Sequence, residues 1–406
     1  MIKIQVPEAA KSIIEQLNTN GFEAYVVGGC VRDSLLGRMP EDWDITTSAK
    51  PEQVKEIFKR TVDTGIQHGT VTVLIEHEGY EVTTYRIDGE YEDGRHPRSV
   101  EFTGSLLEDL KRRDFTINAM AYSDREGLVD AFDGVKDLEG RIIRCVGNAV
   151  DRFTEDALRI LRAIRFSAQL GFDMEEETRA AISVIAPSMA KVSKERIQVE
   201  LTKLLLSDHP ERLKYVYDNG IAPYISQYFE DAGRRLREAE KIAWLPSKKH
   251  MRWSGFLRLE EPGNGVRILK ELKLDNDTIH QTKTLVSLWK TEIPADKPAI
   301  RQVMSGLSPE LFQDLLCFQK VFCPESHLTR LKTVEKYSEE ILLAGDCIRL
   351  KDMAVTGREL MDAGMKPGPE MGAVLDHLFQ LVLKQPECNN REYLMKSAEH
   401  LLKEQA

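Results

Sequence analysis

Two aspartates separated by one residue mark the stretch of this chain best suited to metal-dependent chemistry. Asp42 and Asp44 flank Trp43 in the segment PEDWDITT. Residues two apart on an extended strand point to the same face, so we expect both carboxylates to lie side by side. Mg²⁺ prefers one or two carboxylates together with the phosphate oxygens of a substrate. The spacing therefore predicts a magnesium site.

A double glycine and an arginine precede these aspartates. Gly28 and Gly29 stand before a predicted helix that begins near Val31, where backbone N–H groups can approach a polyphosphate. Arg32 adds a guanidinium, and Asp33 follows it. Each part alone has an ordinary explanation, since D-x-D and Gly-Gly are common in turns and an Arg-Asp pair can sit on a helix surface. Together the parts meet the separate requirements of one reaction and predict a nucleotidyl-transfer site.

Length and composition limit the classes of protein to consider. The chain has 406 residues, of which 42% are hydrophobic and 30% charged, so we expect a globular protein of two to four domains. It lacks an apolar run long enough for a membrane span and an N-terminal signal core, and its six scattered cysteines predict reduced thiols in the cytoplasm. The net charge of −10 argues against non-specific coating of nucleic acid but allows RNA as a substrate that must be released.

Strand and helix patterns alternate through about the first 145 residues. YVVGG and WDITT predict strands, and VRDSLLG and KPEQVKEIFK predict helices. TVTVLIEH and YEVTTYRI predict a hairpin that turns at Glu78 and Gly79. The polar residues 88–99 predict a mobile loop. Helical periodicity follows from about residue 150, so we expect an α+β head with a small mixed sheet and a helical remainder.

Further charged residues with possible roles lie in KRRDFTINAMAY (residues 111–122) and EVTTYR (residues 81–86). Arg113 suits a clamp on a phosphate or sugar, whereas capping of a helix is the favoured role for Asp114. Glu81 has two open interpretations. It is either a third carboxylate beside the D-x-D pair, as general base or metal ligand, or a partner of Arg86.

The segment EDALRILRAIRFSAQLGF (residues 155–172) predicts one amphipathic helix. Its apolar stripe consists of Ala157, Ile160, Leu161, Ile164 and Ala168. Asp156, Arg159 and Arg162 share the open face, with Arg165 at its margin. On its own, the pattern favours simple pairing of Glu155 with Arg159 at i,i+4.

If a nucleotide binds nearby, the charged face of this helix could recognise the nucleotide's base. Cytosine and adenine both present a ring-nitrogen acceptor beside an amino donor, whereas uracil and guanine present the reverse. A carboxylate from Asp156 and a guanidinium from Arg159 therefore match C and A and oppose U and G, at roughly 1–3 kcal/mol per contact. Arg162 and Arg165 would hold Arg159 or contact phosphates.

These motifs closely resemble those of the class II tRNA nucleotidyltransferases, the CCA-adding family of the polymerase-β superfamily. The stretch VVGGCVRDSLLGRMPEDWDITT is similar to the family's motif A, KRRDFTINAMAY to its RRDF-T-NAMA motif, and EDALR to its E-D-x-x-R motif. VSKERIQVELTKLL (residues 192–205) resembles a further family segment, in which we expect Arg196 to pair with Glu200 at i,i+4.

The resemblance implies a polymerase-β-like nucleotidyltransferase head followed by an all-α neck, body and tail in an elongated molecule, at residues 1–148, 149–205, 206–320 and 321–406. It implies template-independent addition of C, C and A to the 3′ end of tRNA from CTP and ATP, with release of pyrophosphate and with Mg²⁺ as cofactor. The tRNA would bind through its acceptor stem and elbow, with no membrane or DNA partner, to a monomer or homodimer. The implied catalytic residues are Asp42, Asp44 and Glu81, the first two as metal ligands, and the implied nucleotide-binding residues are Gly28, Gly29, Arg32, Arg113, Asp156, Arg159, Arg162 and Arg165.

Three other functions remain open at this point. A bacterial poly(A) polymerase shares the head and neck motifs, but the family's basic C-terminal extension has no counterpart in the final LLKEQA. A split enzyme that adds only A keeps a loop like residues 88–99, which CC-adding relatives tend to lack. A tRNA-binding protein with a dead site is disfavoured by the intact motifs. We hypothesise that residues 88–99 act as a lever that re-aims Arg159 between C and A.

Overall fold

A computed structural model describes residues 3–89 and 100–405. Most of the predicted loop at residues 88–99 lies outside these described residues. The chain divides into two compact units, Met1–Ala243 with Arg267–Leu274 and Trp244–Val266 with Asp275–Ala406. The first unit contains all eleven residues that the resemblance assigns to the site.

The described strands and helices follow the predicted order, an α+β head and then helices. The strands are β1 Ala24–Val27, β2 Ile45–Thr47, β3 Thr61–Gly65, β4 Thr70–Ile75, β5 Glu78–Thr84, β6 Arg86–Asp88, β7 Val100–Phe102, β8 Met120–Ser123, β9 Gly127–Asp130, β10 Ile142–Ile143 and β11 Asp173–Met174. The helices up to residue 235 are α1 Glu8–Thr19, α2 Gly29–Leu35, α3 Pro51–Ile57, α4 Leu106–Lys111, α5 Gly134–Gly140, α6 Ala149–Glu155, α7 Leu158–Leu170, α8 Glu176–Ile185, α9 Lys194–Leu205, α10 Lys214–Asp218, α11 Ala222–Ile225 and α12 Gln227–Arg235. The later helices are α13 Lys249–Leu257, α14 Pro262–Glu271, α15 Asn276–Leu288, α16 Lys297–Ser305, α17 Pro309–Phe322, α18 Leu328–Ala344, α19 Gly357–Asp362, α20 Pro369–Lys384 and α21 Arg391–Gln405.

One mixed sheet forms the centre of the head. Within the described residues it has seven strands in the order β3-β4-β5-β2-β1-β8-β9, with β2 parallel to β5 and the other pairs antiparallel. All four residues of β1 are buried, because helices and neighbouring strands cover this central strand. The predicted small mixed sheet is confirmed.

The hairpin of β4 and β5 turns earlier than predicted. Ile75 pairs with Glu78 and Leu74 with Gly79, so the turn is formed by Glu76 and His77. Glu76 takes a φ of 56°, which supplies the reversal that the sequence argument assigned to the glycine. Placing the turn at Glu78 and Gly79 was therefore wrong, since both residues lie within β5.

The D-x-D pair and the recognition helix also differ from the sequence expectation. β2 begins at Ile45, so Asp42 and Asp44 lie in the loop that leads into the strand. The predicted helix from Glu155 is two helices, because α6 ends at Glu155 and α7 begins at Leu158. Asp156 between them is extended, with φ −142° and ψ 104°. The predicted apolar stripe is nevertheless buried at all five positions.

The second unit is built from helices around two apolar clusters. One cluster includes Met251, Phe312, Phe318 and Leu331, and the other includes Val374, Leu378 and Leu394. No helix among the described residues is long and apolar enough to cross a membrane.

Candidate active site

Sheet register brings the predicted carboxylates into one neighbourhood. The backbone carbonyl of Asp44 accepts a hydrogen bond from the Val27 N–H at 3.0 Å, which fixes the end of the D-x-D loop beside β1. Ile45 pairs with Val82 in the parallel β2–β5 pair, so Glu81 lies alongside Asp44. Partial desolvation and the charges of Glu81 and Asp42 raise the pKa of the Asp44 carboxyl, with Arg113 opposing them.

These carboxylates suit a divalent cation that a substrate helps to coordinate. Burial first, and then the negative charges of Glu81 and Asp42, raise the pKa of Asp44, and a bound cation would offset both effects. Across residues 3–89 and 100–405, no group of three His, Cys, Asp or Glu side chains forms a metal site by itself. A pair of aspartates completed by phosphate oxygens is the arrangement that remains, and hard cations such as Mg²⁺ commonly bind in this way.

Gly28 brings the backbone against the guanidinium of Arg113. α2 begins at Gly29, two residues before the predicted start, and Gly28 precedes it with φ 81°. A Cβ added at Gly28 would lie 3.1 Å from Arg113 Nη1, so any other residue would displace the guanidinium by a few tenths of an ångström, and the positive φ also favours glycine. Arg113 Nε is buried and has no hydrogen-bond partner among the described residues. The guanidinium of Arg113 therefore lies beside the start of α2, where an anionic ligand could approach the helix.

Arg32 lies at the predicted position in the candidate site and also pairs with its neighbour Asp33. Its Nε and Nη2 donate to the two Asp33 carboxylate oxygens at 2.9 and 2.8 Å, and its Nη1 donates to Asn118 Oδ1 at 2.7 Å. Arg32 is only 9% exposed, so its charge is fixed in place rather than solvated. Pairing with Asp33 does not remove it from the site.

A cleft of about 640 Å³ connects several of these groups, a volume that suits a small-molecule ligand. Its lining includes Gly29, Arg32, Asp42, Asp44 and Arg165, together with Arg38 and Lys203. The structure thus brings predicted residues from α2, the D-x-D loop and α7 to one cavity.

The break before α7 sets the position of Asp156. Asp156 Oδ1 accepts the Leu158 N–H at 3.0 Å, a local bond that competes with helix continuation. Its other contact is with Arg196, whose Nη2 donates to Oδ2 at 2.6 Å. The predicted i,i+4 pair of Arg196 with Glu200 was wrong, because α9 packs against α7 and presents Arg196 to Asp156.

Arg159 takes the i,i+4 partner that the isolated helix pattern favours. Its Nη1 donates to Glu155 Oε2 at 2.6 Å, and its Nη2 donates to the Arg112 carbonyl oxygen at 3.2 Å. Arg159 and Asp156 are therefore held by different neighbours on the two sides of the helix junction.

Asp114 is the centre of an ion-pair network, not a helix cap. It precedes a short 3₁₀ turn and accepts hydrogen bonds from the Phe115 N–H at 2.9 Å and from Arg162 Nε at 2.7 Å. Burial opposes its ionisation, but the charges of Arg162 and Arg159 prevail and lower the pKa of Asp114 to about 2. Favouring Asp114 as a cap was wrong because long-range pairing to α7 is invisible in local sequence.

Arg165 and Phe166 complete this part of α7. Arg165 Nε donates to Glu200 Oε2 at 2.5 Å and Nη1 to Gln169 Oε1 at 2.6 Å. The guanidinium carbons of Arg165, Arg32 and Arg162 lie 3.8, 5.0 and 5.5 Å from the centre of the Phe166 ring. These cation–π contacts add to the ion pairs that the same three arginines make with Glu200, Asp33 and Asp114.

Sequence reasoning gave no role in the site to several residues that organise it, although it had expected Arg196 and Glu200 to pair with each other. Asp109, Asn118, Phe166, Arg196 and Glu200 each contact a predicted residue. Only Asp109 left a signal that could have been used, since it is a carboxylate among leucines in SLLEDLK, four residues before Arg113. The other four contacts depend on how distant elements pack.

The fold and the site define a nucleotidyltransferase, and comparison with known proteins agrees. Residues 24–144 match the family model of the poly A polymerase head domain, residues 171–232 that of a probable RNA- and SrmB-binding site of polymerase A, and residues 247–398 that of tRNA nucleotidyltransferase domain 2.

Full-length relatives identify the family more closely. The CCA-adding enzyme of Latilactobacillus sakei is 40% identical, over 97% of this chain and 98% of its own length. The structure of the Bacillus stearothermophilus CCA-adding enzyme in complex with CTP matches with a TM-score of 0.84 and 32% identity, covering 97% of this chain and 98% of that one. The Thermotoga maritima CCA-adding enzyme complexed with tRNA_CCA shares the fold, with a TM-score of 0.62 and 20% identity over 98% of this chain and 97% of that one. The chain belongs to the CCA-adding enzymes.

Proposed function

We propose that this chain adds C, C and A to the 3′ end of tRNA, using CTP and ATP and releasing pyrophosphate. The observation that carries the proposal is the convergence, within one compact unit, of a carboxylate cluster, a phosphate-binding corner and a helix junction with a matched donor and acceptor. The cluster is Asp42, Asp44 and Glu81, and the corner is Gly28 with Arg113. Family membership over the full chain supports it.

The chain's own groups account for substrate orientation. Asp42 and Asp44 would hold Mg²⁺, which when bound supplies Lewis-acid stabilisation of the phosphates and the attacking oxygen. Arg113, Arg32 and the backbone at Gly29 orient the triphosphate with its α-phosphorus facing the tRNA 3′-hydroxyl. The new phosphodiester bond forms as the bond to pyrophosphate breaks. Glu81, alongside Asp44, accepts the proton of the hydroxyl or assists in holding the cation.

The helix junction selects the base. Asp156 accepts from the exocyclic amino group of C or A, and Arg159 donates to the adjacent ring nitrogen. Arg196 and Glu155 hold these two side chains in the structure, which orders the pair before a nucleotide binds. Arg162 and Arg165 stabilise this end of α7 through Asp114 and Glu200.

The defining experiment incubates tRNA lacking its terminal CCA with Mg²⁺ and CTP, ATP, UTP or GTP, followed by sequencing of the 3′ ends. Ordered growth by C, C and A is expected, with loss of activity in EDTA and recovery on adding Mg²⁺. Long A tails would instead identify a poly(A) polymerase. Addition of A only to a tRNA ending in CC would identify a split A-adding enzyme.

A second experiment tests the base-selecting pair. The double variant Asp156→Asn with Arg159→Gln replaces an acceptor-only and a donor-only group by amides that can both donate and accept, so incorporation of UTP or GTP should rise relative to CTP and ATP. The matched control, Asp173→Asn with Arg179→Gln, changes exposed residues of the same unit and should keep the preference for C and A. An unchanged preference in the first variant would refute side-chain selection.

Several finer assignments belong to the same proposal. The enzyme would act in the cytoplasm, as six free cysteines suggest, and would bind the acceptor stem and elbow of tRNA. The division into head, neck, body and tail at residues 148, 205 and 320 stays a prediction. So does the lever at residues 88–99, whose deletion should stop addition after CC.

A further inference from the structure

Asp109 is a fully buried carboxylate that the proposed mechanism does not use. It lies on α4 and is 0% exposed, with Leu110 equally buried beside it. Burial opposes its ionisation, but the charges of Arg113 and Arg112, with hydrogen bonds from Arg112 and Thr46, lower its pKa. A buried ion of this kind is costly unless its oxygens are well paired, so its contacts define what it does.

The two oxygens of Asp109 contact four residues in three segments of the chain. Oδ1 accepts from Arg112 Nε at 3.0 Å and Nη2 at 2.7 Å, and from the Arg86 N–H at 3.4 Å. Oδ2 accepts from Thr46 Oγ1 at 3.1 Å and from Arg113 Nη2 at 3.4 Å. A single carboxylate therefore joins β2, the start of β6 and both arginines that follow α4.

Each of these contacts leads to a different part of the candidate site. Thr46 lies on β2 two residues after Asp44, in the segment that carries the D-x-D pair. Arg113 is the guanidinium packed against Gly28, and Asp109 is its one polar side-chain contact among the described residues. The Arg112 carbonyl oxygen accepts from Arg159 Nη2 at 3.2 Å.

We propose that Asp109 is a positioning residue that sets Arg113 relative to the Asp42–Asp44 pair. The inference rests on the proposed function, since it concerns how nucleotide-binding groups are aligned. An arginine side chain has several rotatable bonds, and a fixed carboxylate on one side of the guanidinium selects one orientation. Gly28 closes the opposite side, so Asp109 and Gly28 together define the place of the guanidinium.

The test is Asp109→Asn in the full-length enzyme, measured with CCA-lacking tRNA. The asparagine keeps the shape but removes the charge and turns an amide N–H₂ toward a guanidinium. We expect the KM for CTP and for ATP to rise roughly tenfold, the scale for losing a hydrogen bond to a charged group, with the KM for tRNA changed less than twofold. In an Arg113→Ala background the same substitution should add less than twofold, because the two residues act as one unit.

The matched control is Asp314→Asn in the second unit. Asp314 is also a buried carboxylate, 5% exposed, and it accepts from Lys248 Nζ and His250 Nε2 at 2.7 Å each. This variant should lower the Tm without changing the KM for nucleotides. The positioning role is overturned if Asp109→Asn only lowers the Tm and leaves the KM for nucleotides unchanged. It is also overturned if the effects of Asp109→Asn and Arg113→Ala on the nucleotide KM multiply.

A milder variant keeps the test decisive if Asp109→Asn fails to fold. Thr46→Val removes only the hydroxyl contact to Asp109. It should raise the KM for nucleotides by about threefold, less than the roughly tenfold rise expected for Asp109→Asn, because only one hydrogen bond is lost. An unchanged KM in Thr46→Val would then overturn the inference. Failure of the proposed function looks different, since the wild-type enzyme would not extend tRNA or Arg113→Ala would extend it normally.

Discussion

The close approach of Gly28 to Arg113 makes Gly28→Ala the most informative single substitution. Gly28 has φ 81° and ψ −126°, a backbone conformation that residues with a Cβ rarely adopt. The added methyl group would lie 3.1 Å from Arg113 Nη1 and 3.8 Å from the Asn118 carbonyl oxygen. The backbone is fixed by the sheet, so the guanidinium has to move by a few tenths of an ångström.

Two magnitudes follow from this geometry. The backbone strain should cost about 1–3 kcal/mol of folding stability. Displacement of the guanidinium should reduce kcat/KM for CTP and ATP by roughly tenfold, given that a 1 Å misplacement in an active site can cost about 100-fold. The KM for tRNA should stay the same, because the atoms that the added methyl group approaches are Arg113 Nη1 and the Asn118 carbonyl oxygen.

Gly37→Ala is the matched control for the strain. Gly37 has φ 68°, and a Cβ there meets no atom within 4 Å. It should lose about 1–2 kcal/mol of stability through its left-handed backbone and keep normal kinetics. Urea unfolding and steady-state kinetics on CCA-lacking tRNA measure both effects. If Gly28→Ala is as active as Gly37→Ala, the packing of Arg113 against Gly28 does not serve nucleotide binding.

Three further predictions follow from buried charges. Because the pKa of Asp114 falls to about 2 from an unfolded value near 3.9, its ionised form should contribute about 2–3 kcal/mol above pH 4 and lose this as pH falls toward 2. In urea unfolding at pH 7, Asp114→Asn should be less stable than wild type by about 2–3 kcal/mol. A difference in unfolding free energy that does not become smaller below pH 4 would contradict this prediction. The pKa of Asp44 is raised, so its charge destabilises the metal-free fold at pH values above that pKa. Asp44→Asn should therefore abolish CTP incorporation yet raise metal-free stability by up to about 1 kcal/mol, and a lower stability would count against a cost from burying this charge beside Glu81. Arg301, 6% exposed, donates to Asp346 Oδ2 at 2.7 Å, so Arg301→Ala should cost about 3–5 kcal/mol in urea unfolding, and a loss below about 1 kcal/mol would be inconsistent with a buried pair.

Much of the local structure could be predicted from the sequence. The stripe from Ala157 to Ala168 was predicted from its spacing and is buried throughout. Strand β1 and helix α3 also lie where their patterns placed them. These predictions succeeded because hydrophobic periodicity and β-propensity act over a few neighbouring residues.

Contacts between distant elements could not be predicted in the same way. The partner of Arg196 was expected four residues away on its own helix, yet it is Asp156, forty residues earlier. The break at Asp156 interrupts a pattern that is periodic on both sides. Local spacing gives equal support to several partners, and only packing of α7 against α9 selects one of them.

The sequence by itself determined the kind of chemistry, since D-x-D, the double glycine and E-D-x-x-R name the required groups and the family that carries them. Only the tertiary structure decided how those groups are held: Arg113 between Gly28 and Asp109, Asp156 by Arg196, and Asp44 beside Glu81. The physical reason is that residue type fixes charge and hydrogen-bonding capacity along the chain. The distances between these side chains, and their removal from water, are set only when separate helices and strands pack together.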